Sequence, residues 1–170
     1  MTGSFDILRA RQDTPGCDNV LHFNNAGSSL MPRQVLEAAI GHLQLEAQIG
    51  GYEAAAEAQD AVERVYDAVA ALIGCQRYEV AIIENATRAW DMAFYAIPFQ
   101  KGDRILTSVA EYASNYIAFL QVARRTGAVV EVIPNDEHGQ VSLPALHSLV
   151  DDRVKLIAIT HIPTNGGLVN

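Results

Sequence analysis

The chain has few cysteines and no long apolar run. Cys17 and Cys75 are its only cysteines, they lie far apart, and neither belongs to a CxxC arrangement. A disulfide framework or a structural zinc site is therefore not expected, and a reducing compartment fits. No apolar stretch approaches the roughly 20 residues that cross a bilayer, and residues 1–16 lack the apolar core of a signal peptide. We expect a cytoplasmic protein without a membrane span.

Basic side chains and the common ligand motifs are also scarce. The 12 Lys and Arg residues stand against 20 Asp and Glu residues, and no basic run exceeds Arg124-Arg125. The electrostatic footprint of nucleic-acid binding is therefore missing. The five histidines show no HxH or HxxxH spacing, which argues against a metal site. GxxxxGKS/T, GxGxxG and GxSxG do not occur, so nucleotide-binding and serine-hydrolase motifs are absent.

The first 75 residues are predicted to be mostly helical. Residues 1–30 end in the turn-forming run 24–29. In residues 31–75, apolar side chains recur at helical spacing, Gly50-Gly51 separates two helices, and Gly74 closes the second. This part is therefore predicted to be a helical segment.

Residues 76–170 alternate between short apolar strands and helices. Strands are predicted at residues 80–83, 104–108, 128–133 and 155–160. Strands this apolar indicate a parallel sheet with helices on both faces, which is an α/β fold. No helix follows to cover the last strand, so we expect the domain to be truncated.

In an open parallel sheet, ligands bind at the carboxyl ends of the strands, where loops lead into helices. Residues 84–87 leave one such strand, and Asn85 is a suitable N-cap for the helix that follows. Backbone amides at that helix N-terminus, together with the Thr87 hydroxyl and the Arg88 charge, would form an anion site. A plain helix cap with a surface arginine is the simpler alternative.

Two further strand exits carry polar or aromatic groups. Tyr112 could stack on a planar ligand ring, although a packed tyrosine is the simpler interpretation. The amide and hydroxyl groups of residues 161–167 could bind a phenolate or a carboxylate. A turn that needs flexible glycines explains the same residues.

Five segments occur in one order: residues 23–27, residues 84–89, residues 111–115, Gly127 with residues 129–134, and residues 160–170. In this order they resemble the class V aminotransferase and cysteine desulfurase family of fold-type I enzymes, which use pyridoxal 5'-phosphate (PLP). The resemblance runs from about residue 21 to residue 170. It implies the N-terminal part of a PLP-transferase-like large domain, with a mostly parallel sheet and helices on both faces.

The resemblance also implies site residues. The amides of Ala86 and Thr87, with the Thr87 hydroxyl, would hold the cofactor phosphate. Tyr112 takes the place of the ring that stacks on the pyridine. Thr164 falls where the family has an asparagine that contacts the cofactor's ring oxygen, and Asn165 is one residue away. The residues that would border the amino-acid substrate are Asn25, Ala26 and Gly27.

The same resemblance implies a domain organisation and a partner. Residues 1–30 would line the active site, and residues 76–170 would form the first half of the PLP-binding domain. In the family, the strand that matches residues 80–83 pairs with a late strand at the far side of the sheet, while the other three strands cluster together. A second subunit completes the family's active site, so a homodimer is implied.

Departures from the family pattern bear on the reaction. Residues 49–52 read Ile-Gly-Gly-Tyr where desulfurases carry an arginine and histidines, and Arg88 replaces an acidic residue. Both favour a lyase, an epimerase or an aminotransferase acting on an amino acid. Lys101 and Lys155 do not match the Schiff-base lysine, which is expected beyond Asn170, so the chain by itself is predicted to be inactive. A noncatalytic α/β interaction module and a nucleotide-binding doubly wound domain are the alternatives.

Overall fold

The fold is given by a computed structural model that describes residues 5–164 and 166–170. The chain divides into two units, Met1–His22 with Leu30–Ile82 and Phe23–Ser29 with Ile83–Asn170. These two units differ from the three segments expected from the sequence, which have boundaries at residues 30 and 75. The three-segment division stays a prediction. No helix in the described part of the chain is both long and apolar enough to span a membrane.

The first unit is helical. Its helices are α1 (Ile7–Gln12), α2 (Arg33–Ile49) and α3 (Gly51–Ile73), with short 3₁₀ turns at Pro15–Asp18 and Arg77–Glu79. Gly50 separates α2 from α3 at φ +93°, and Gly74 ends α3 in the left-handed region at φ +74°. The two long helices pack against each other, as the apolar spacing predicts.

The second unit is an α/β layer structure. In chain order its elements are α4 (Ala86–Tyr95), β1 (Arg104–Thr107), α5 (Ala113–Thr126), β2 (Val129–Val132), α6 (Leu143–Leu149) and β3 (Val154–Ala158). The strands form a parallel sheet in the order β2-β1-β3. The central strand β1 is buried along its whole length, as expected for a parallel strand that is covered on both faces.

Helices cover both faces of this sheet. Ile105 packs with Phe94 of α4 and Phe119 of α5 in one buried cluster. The next residue along the strand, Leu106, points to the opposite face and packs with Ile133 and the apolar side of α6. The predicted parallel sheet with helices on both faces is therefore confirmed.

Residues 80–83, predicted as a strand, are not paired into the sheet in the described part of the chain. Val80 has extended backbone angles (φ −101°, ψ 128°), but the segment pairs with no other strand among the described residues. An extended segment becomes a strand only when a neighbour accepts and donates its backbone hydrogen bonds. The three remaining predicted strands do cluster together in one sheet, as the resemblance implies.

Candidate functional site

The N-terminus of α4 presents two backbone amides that have no acceptor in the described part of the chain. The Asn85 side chain accepts from the Arg88 amide at 2.9 Å, and the Asn85 carbonyl accepts from the Ala89 amide at 3.0 Å. Among residues 5–164 and 166–170, no group accepts from the amides of Ala86 or Thr87. These two donors therefore remain available to an anion at the positive end of the helix dipole.

A hydroxyl pair lies beside these amides. Thr87 Oγ1 is 3.3 Å from Ser114 Oγ, which belongs to the first turn of α5. The pair brings the starts of α4 and α5 together. The Arg88 guanidinium instead lies 3.7 Å from the Glu84 carboxylate in an exposed ion pair.

Tyr112 lies between β1 and α5, where it is the N-cap residue of α5. Its side chain is 52% exposed, so the simpler interpretation of a packed core tyrosine does not describe it. A half-exposed ring at a strand exit offers one face to a planar ligand.

The turn at residues 25–28 lies against the loop after β3. Thr164 Oγ1 donates to Asn24 Oδ1 at 3.2 Å. A Cβ atom at Gly27 would lie 2.5 Å from Thr164 Oγ1, which is closer than real atoms approach. Glycine is therefore required for this close contact.

These segments enclose one cleft of about 530 Å³ at the carboxyl edge of the sheet. Six of the predicted site residues line it: Ala26, Gly27, Ala86, Thr87, Tyr112 and Thr164. Asn25 is exposed in the turn and is not among the lining residues. Asn165 lies outside the described residues.

The other lining residues were not assigned individual roles in ligand binding from the sequence, although Asn85 and Ile162 lie in two of the predicted ligand-binding segments. These other lining residues are Asn85, Trp90, Asn115, Thr160 and Ile162. Trp90 stacks on Phe94, with 5.9 Å between the ring centroids. Its indole Nε1 is buried with no acceptor among the described residues, which leaves a polar atom unsatisfied in the wall of the cleft.

A second cavity of about 540 Å³ lies nearby in the same unit. It is lined by Asp136, Ser142, His161 and Asn170, among others. Asp136, which follows β2, borders this cavity and not the cleft. No group of three or more potential metal ligands occurs in the described part of the chain.

The cleft fits a ligand that carries a phosphate and a planar ring. Free amides at a helix N-terminus suit a phosphate, and the Tyr112 ring suits a stacked heterocycle. PLP has both groups. Fold and cleft together define an α/β protein with a cleft at its sheet edge that suits a phosphorylated ring compound.

The family model described as Aminotransferase class-V matches residues 21–170. The chain therefore belongs to the class V aminotransferase family, whose members depend on PLP. The family and the cofactor expected from the sequence are both confirmed at this level.

Individual relatives agree with this placement. A probable cysteine desulfurase of Synechocystis sp. is 30% identical over 158 residues, which cover 89% of this chain and 38% of that protein. The solved structure of cysteine desulfurase CsdA from Escherichia coli is 25% identical, with a TM-score of 0.81, and the match covers 98% of this chain and 44% of that one.

A third relative shares the fold. It is a mutant of C-DES with glycine covalently linked to its PLP cofactor, at 22% identity and a TM-score of 0.79, with 94% of this chain and 42% of that chain covered. The chain spans about two fifths of the length of the relatives it matches.

Proposed function

We propose that this chain is the N-terminal part of a PLP-dependent enzyme that acts on an amino acid, and that the cleft holds the cofactor. One observation carries the proposal. The two free amides of α4, the half-exposed Tyr112 ring and the Thr164 hydroxyl line the same cleft. Because the chain belongs to a PLP-dependent family, PLP is proposed as the ligand in preference to a nucleotide. For the same reason, a role in catalysis is favoured over a noncatalytic interaction module.

The phosphate group is assigned to the start of α4. The amides of Ala86 and Thr87 donate to it, and the Thr87 hydroxyl supplies a third donor. No lysine or arginine lines the cleft, so the helix dipole and these neutral donors must supply the attraction.

The ring is assigned to the space beside Tyr112. The ring of Tyr112 covers one face of the pyridine, and Thr164 contacts its ring oxygen. Asn25, Ala26 and Gly27 are proposed to border the amino-acid substrate, with Asn25 reached from the turn. When bound, PLP supplies an electron sink for carbanion chemistry at the amino acid.

Neither lysine of the chain can reach the cleft. Lys101 lies in the turn before β1, at the amino-terminal edge of the sheet. Lys155 lies near the start of β3, and about 16 Å of extended chain separates it from Thr160 at the cleft. We therefore propose that the Schiff-base lysine follows Asn170 in the whole protein, and that this chain alone is inactive.

The proposed reaction types include more than the cysteine desulfurase reaction for which the relatives are named. Those names favour cysteine as the amino acid. Arg88 and the Ile-Gly-Gly-Tyr sequence at residues 49–52 instead favour a lyase, an epimerase or an aminotransferase. A homodimer and a cytoplasmic location remain predictions.

Equilibrium dialysis of the 170-residue chain tests the proposal. PLP and pyridoxine 5'-phosphate should bind alike, because no lysine is placed to react with the aldehyde. Pyridoxal should bind about tenfold more weakly, because it lacks the phosphate. Thr87→Val should weaken PLP binding, whereas Thr126→Val should not, because the Thr126 hydroxyl bonds to Val122 O outside the cleft. Equal binding of PLP and pyridoxal would contradict the phosphate assignment.

A further inference from the structure

One carboxylate accepts hydrogen bonds from three residues that line the cleft. Glu111 Oε1 accepts from the Tyr112 amide at 2.8 Å, from Asn115 Nδ2 at 3.0 Å and from Thr160 Oγ1 at 2.7 Å. Tyr112, Asn115 and Thr160 all line the cleft, but Glu111 itself does not. Its half-buried side chain lies behind the wall that they form.

The second oxygen of the same carboxylate reaches the central strand. Glu111 Oε2 accepts from Thr107 Oγ1 at 3.4 Å, and Thr107 is fully buried at the end of β1. A single side chain thus connects the end of β1, the start of α5 and the loop after β3. These are the three elements that carry one side of the cleft.

We propose that Glu111 is a positioning residue for the cofactor site. The proposal rests on the proposed function and deepens it. A carboxylate accepts hydrogen bonds and donates none, so its two oxygens can accept from all four donors. Without it, the Thr160 hydroxyl and the Asn115 amide are free to rotate, and the Tyr112 amide loses its acceptor. The Tyr112 ring, the Asn115 amide and the Thr160 hydroxyl are then no longer held in position by one shared acceptor.

Glutamine at this position should preserve the arrangement. Its carbonyl oxygen can take the place of Oε1 and accept the same three bonds. Its amide group can donate to Thr107 Oγ1, because a hydroxyl accepts as well as donates. Alanine removes every bond, and aspartate is one methylene too short to reach all of them. The proposed role therefore depends on shape and acceptor geometry, and Glu111→Gln should rescue it.

Trp90 provides the readout, because it is the only tryptophan of the chain and it lines the cleft. Titration with PLP should quench its fluorescence by energy transfer to the bound cofactor. We expect about tenfold weaker PLP binding for Glu111→Ala and a change of less than about twofold for Glu111→Gln. If Glu111→Ala does not fold, Glu111→Asp takes its place, with the same expected loss.

A matched control separates positioning from general stability. Glu131→Ala removes a carboxylate of β2 that contacts buried Arg104 outside the cleft. It should lower the urea midpoint of unfolding while leaving PLP affinity unchanged. Glu111→Ala binding as tightly as the wild type, or both alanine variants weakening PLP binding equally, would overturn the inference. Absence of quenching in the wild-type chain would instead refute the proposed function, and the inference with it.

Discussion

Gly27 lies so close to Thr164 and Asn24 that a methyl group does not fit beside them. Gly27→Ala should displace the Thr164 hydroxyl, lower the free energy of unfolding by about 1 kcal/mol and weaken PLP binding. Gly41→Ala is the contrasting control, because Gly41 lies in α2 with nothing within 4 Å of an added Cβ. That variant should gain up to about 1 kcal/mol from helix propensity. Chemical denaturation measures both changes, and equal effects would contradict the close-contact account.

Tyr112 is predicted to contribute to PLP binding through its ring and not through its hydroxyl. Tyr112→Ala should cost on the order of 1 kcal/mol of PLP binding, or about fivefold in Kd, whereas Tyr112→Phe should keep the affinity. Tyr78→Ala is a matched control, since Tyr78 is 86% exposed and lies in the other unit. Unchanged affinity in Tyr112→Ala would show that the ring does not stack on the cofactor.

Residue roles were predictable from the sequence only where local position defines them. Tyr112 follows β1 at the start of α5, and Thr87 follows an apolar segment at the start of α4, so their place at the carboxyl edge could be predicted from the chain order. Glu111 and Thr160 meet through a bond between residues far apart in sequence. No local pattern encodes that contact, because it depends on the packing of β1 beside β3.

Among the elements, α4 has the most direct link to the site. Asn85→Ala removes the side-chain cap of α4 and should cost about 1 kcal/mol of unfolding free energy. Asn85→Asp should keep the cap, because a carboxylate also accepts from the Arg88 amide, but its charge should repel the phosphate and weaken PLP binding. Stability is measured by urea denaturation and binding by dialysis. Tighter PLP binding in Asn85→Asp would contradict the phosphate position.

At the opposite edge of the sheet, buried Arg104 anchors β1. It donates to Leu149 O at 2.7 Å, lies 2.9 Å from the Asp151 carboxylate, and contacts Glu131. The pKa of Asp151 is lowered, mainly by hydrogen bonds from the Arg153 side chain and amide, with a contribution from Arg104. A carboxyl group with a lowered folded-state pKa stabilises the fold above its unfolded pKa of about 4 and loses that contribution as the pH falls further.

Asp151→Asn should therefore flatten the pH dependence of stability. The wild-type chain should lose stability faster than the variant as the pH falls below about 4. Unfolding by urea at a series of pH values measures the two slopes. Parallel slopes for wild type and variant would show that Asp151 does not contribute to the acid sensitivity.

The elements themselves were largely predictable, with one informative failure. Gly74 and Gly127 both end helices in the left-handed region, and the helix end at Gly74 was predicted from the sequence. The strand predicted at residues 80–83 is not formed, because an apolar pattern indicates only that a segment tends to be buried and extended. Whether such a segment becomes a strand depends on a hydrogen-bonded neighbour, which its own sequence does not contain.

For the whole molecule, exposed apolar side chains predict self-association. Leu72 and Ile73 at the end of α3 are 84% and 65% exposed, and Leu43 of α2 is 64% exposed. Apolar surface of this kind drives association in water. Sedimentation and light scattering of the 170-residue chain should show oligomers, and Leu72→Gln with Leu43→Gln should reduce them. A clean monomer with a sharp two-state transition would contradict this expectation.

The central claim is that PLP binds in the cleft with its phosphate at the start of α4. Amide chemical shifts of the ¹⁵N-labelled chain during a PLP titration test it directly. We predict that the largest shifts occur at Ala86 and Thr87, with smaller ones at Tyr112 and Thr164, and that inorganic phosphate reproduces only the first pair. Shifts concentrated around Lys101 or Lys155, with Ala86 and Thr87 unmoved, would contradict the account.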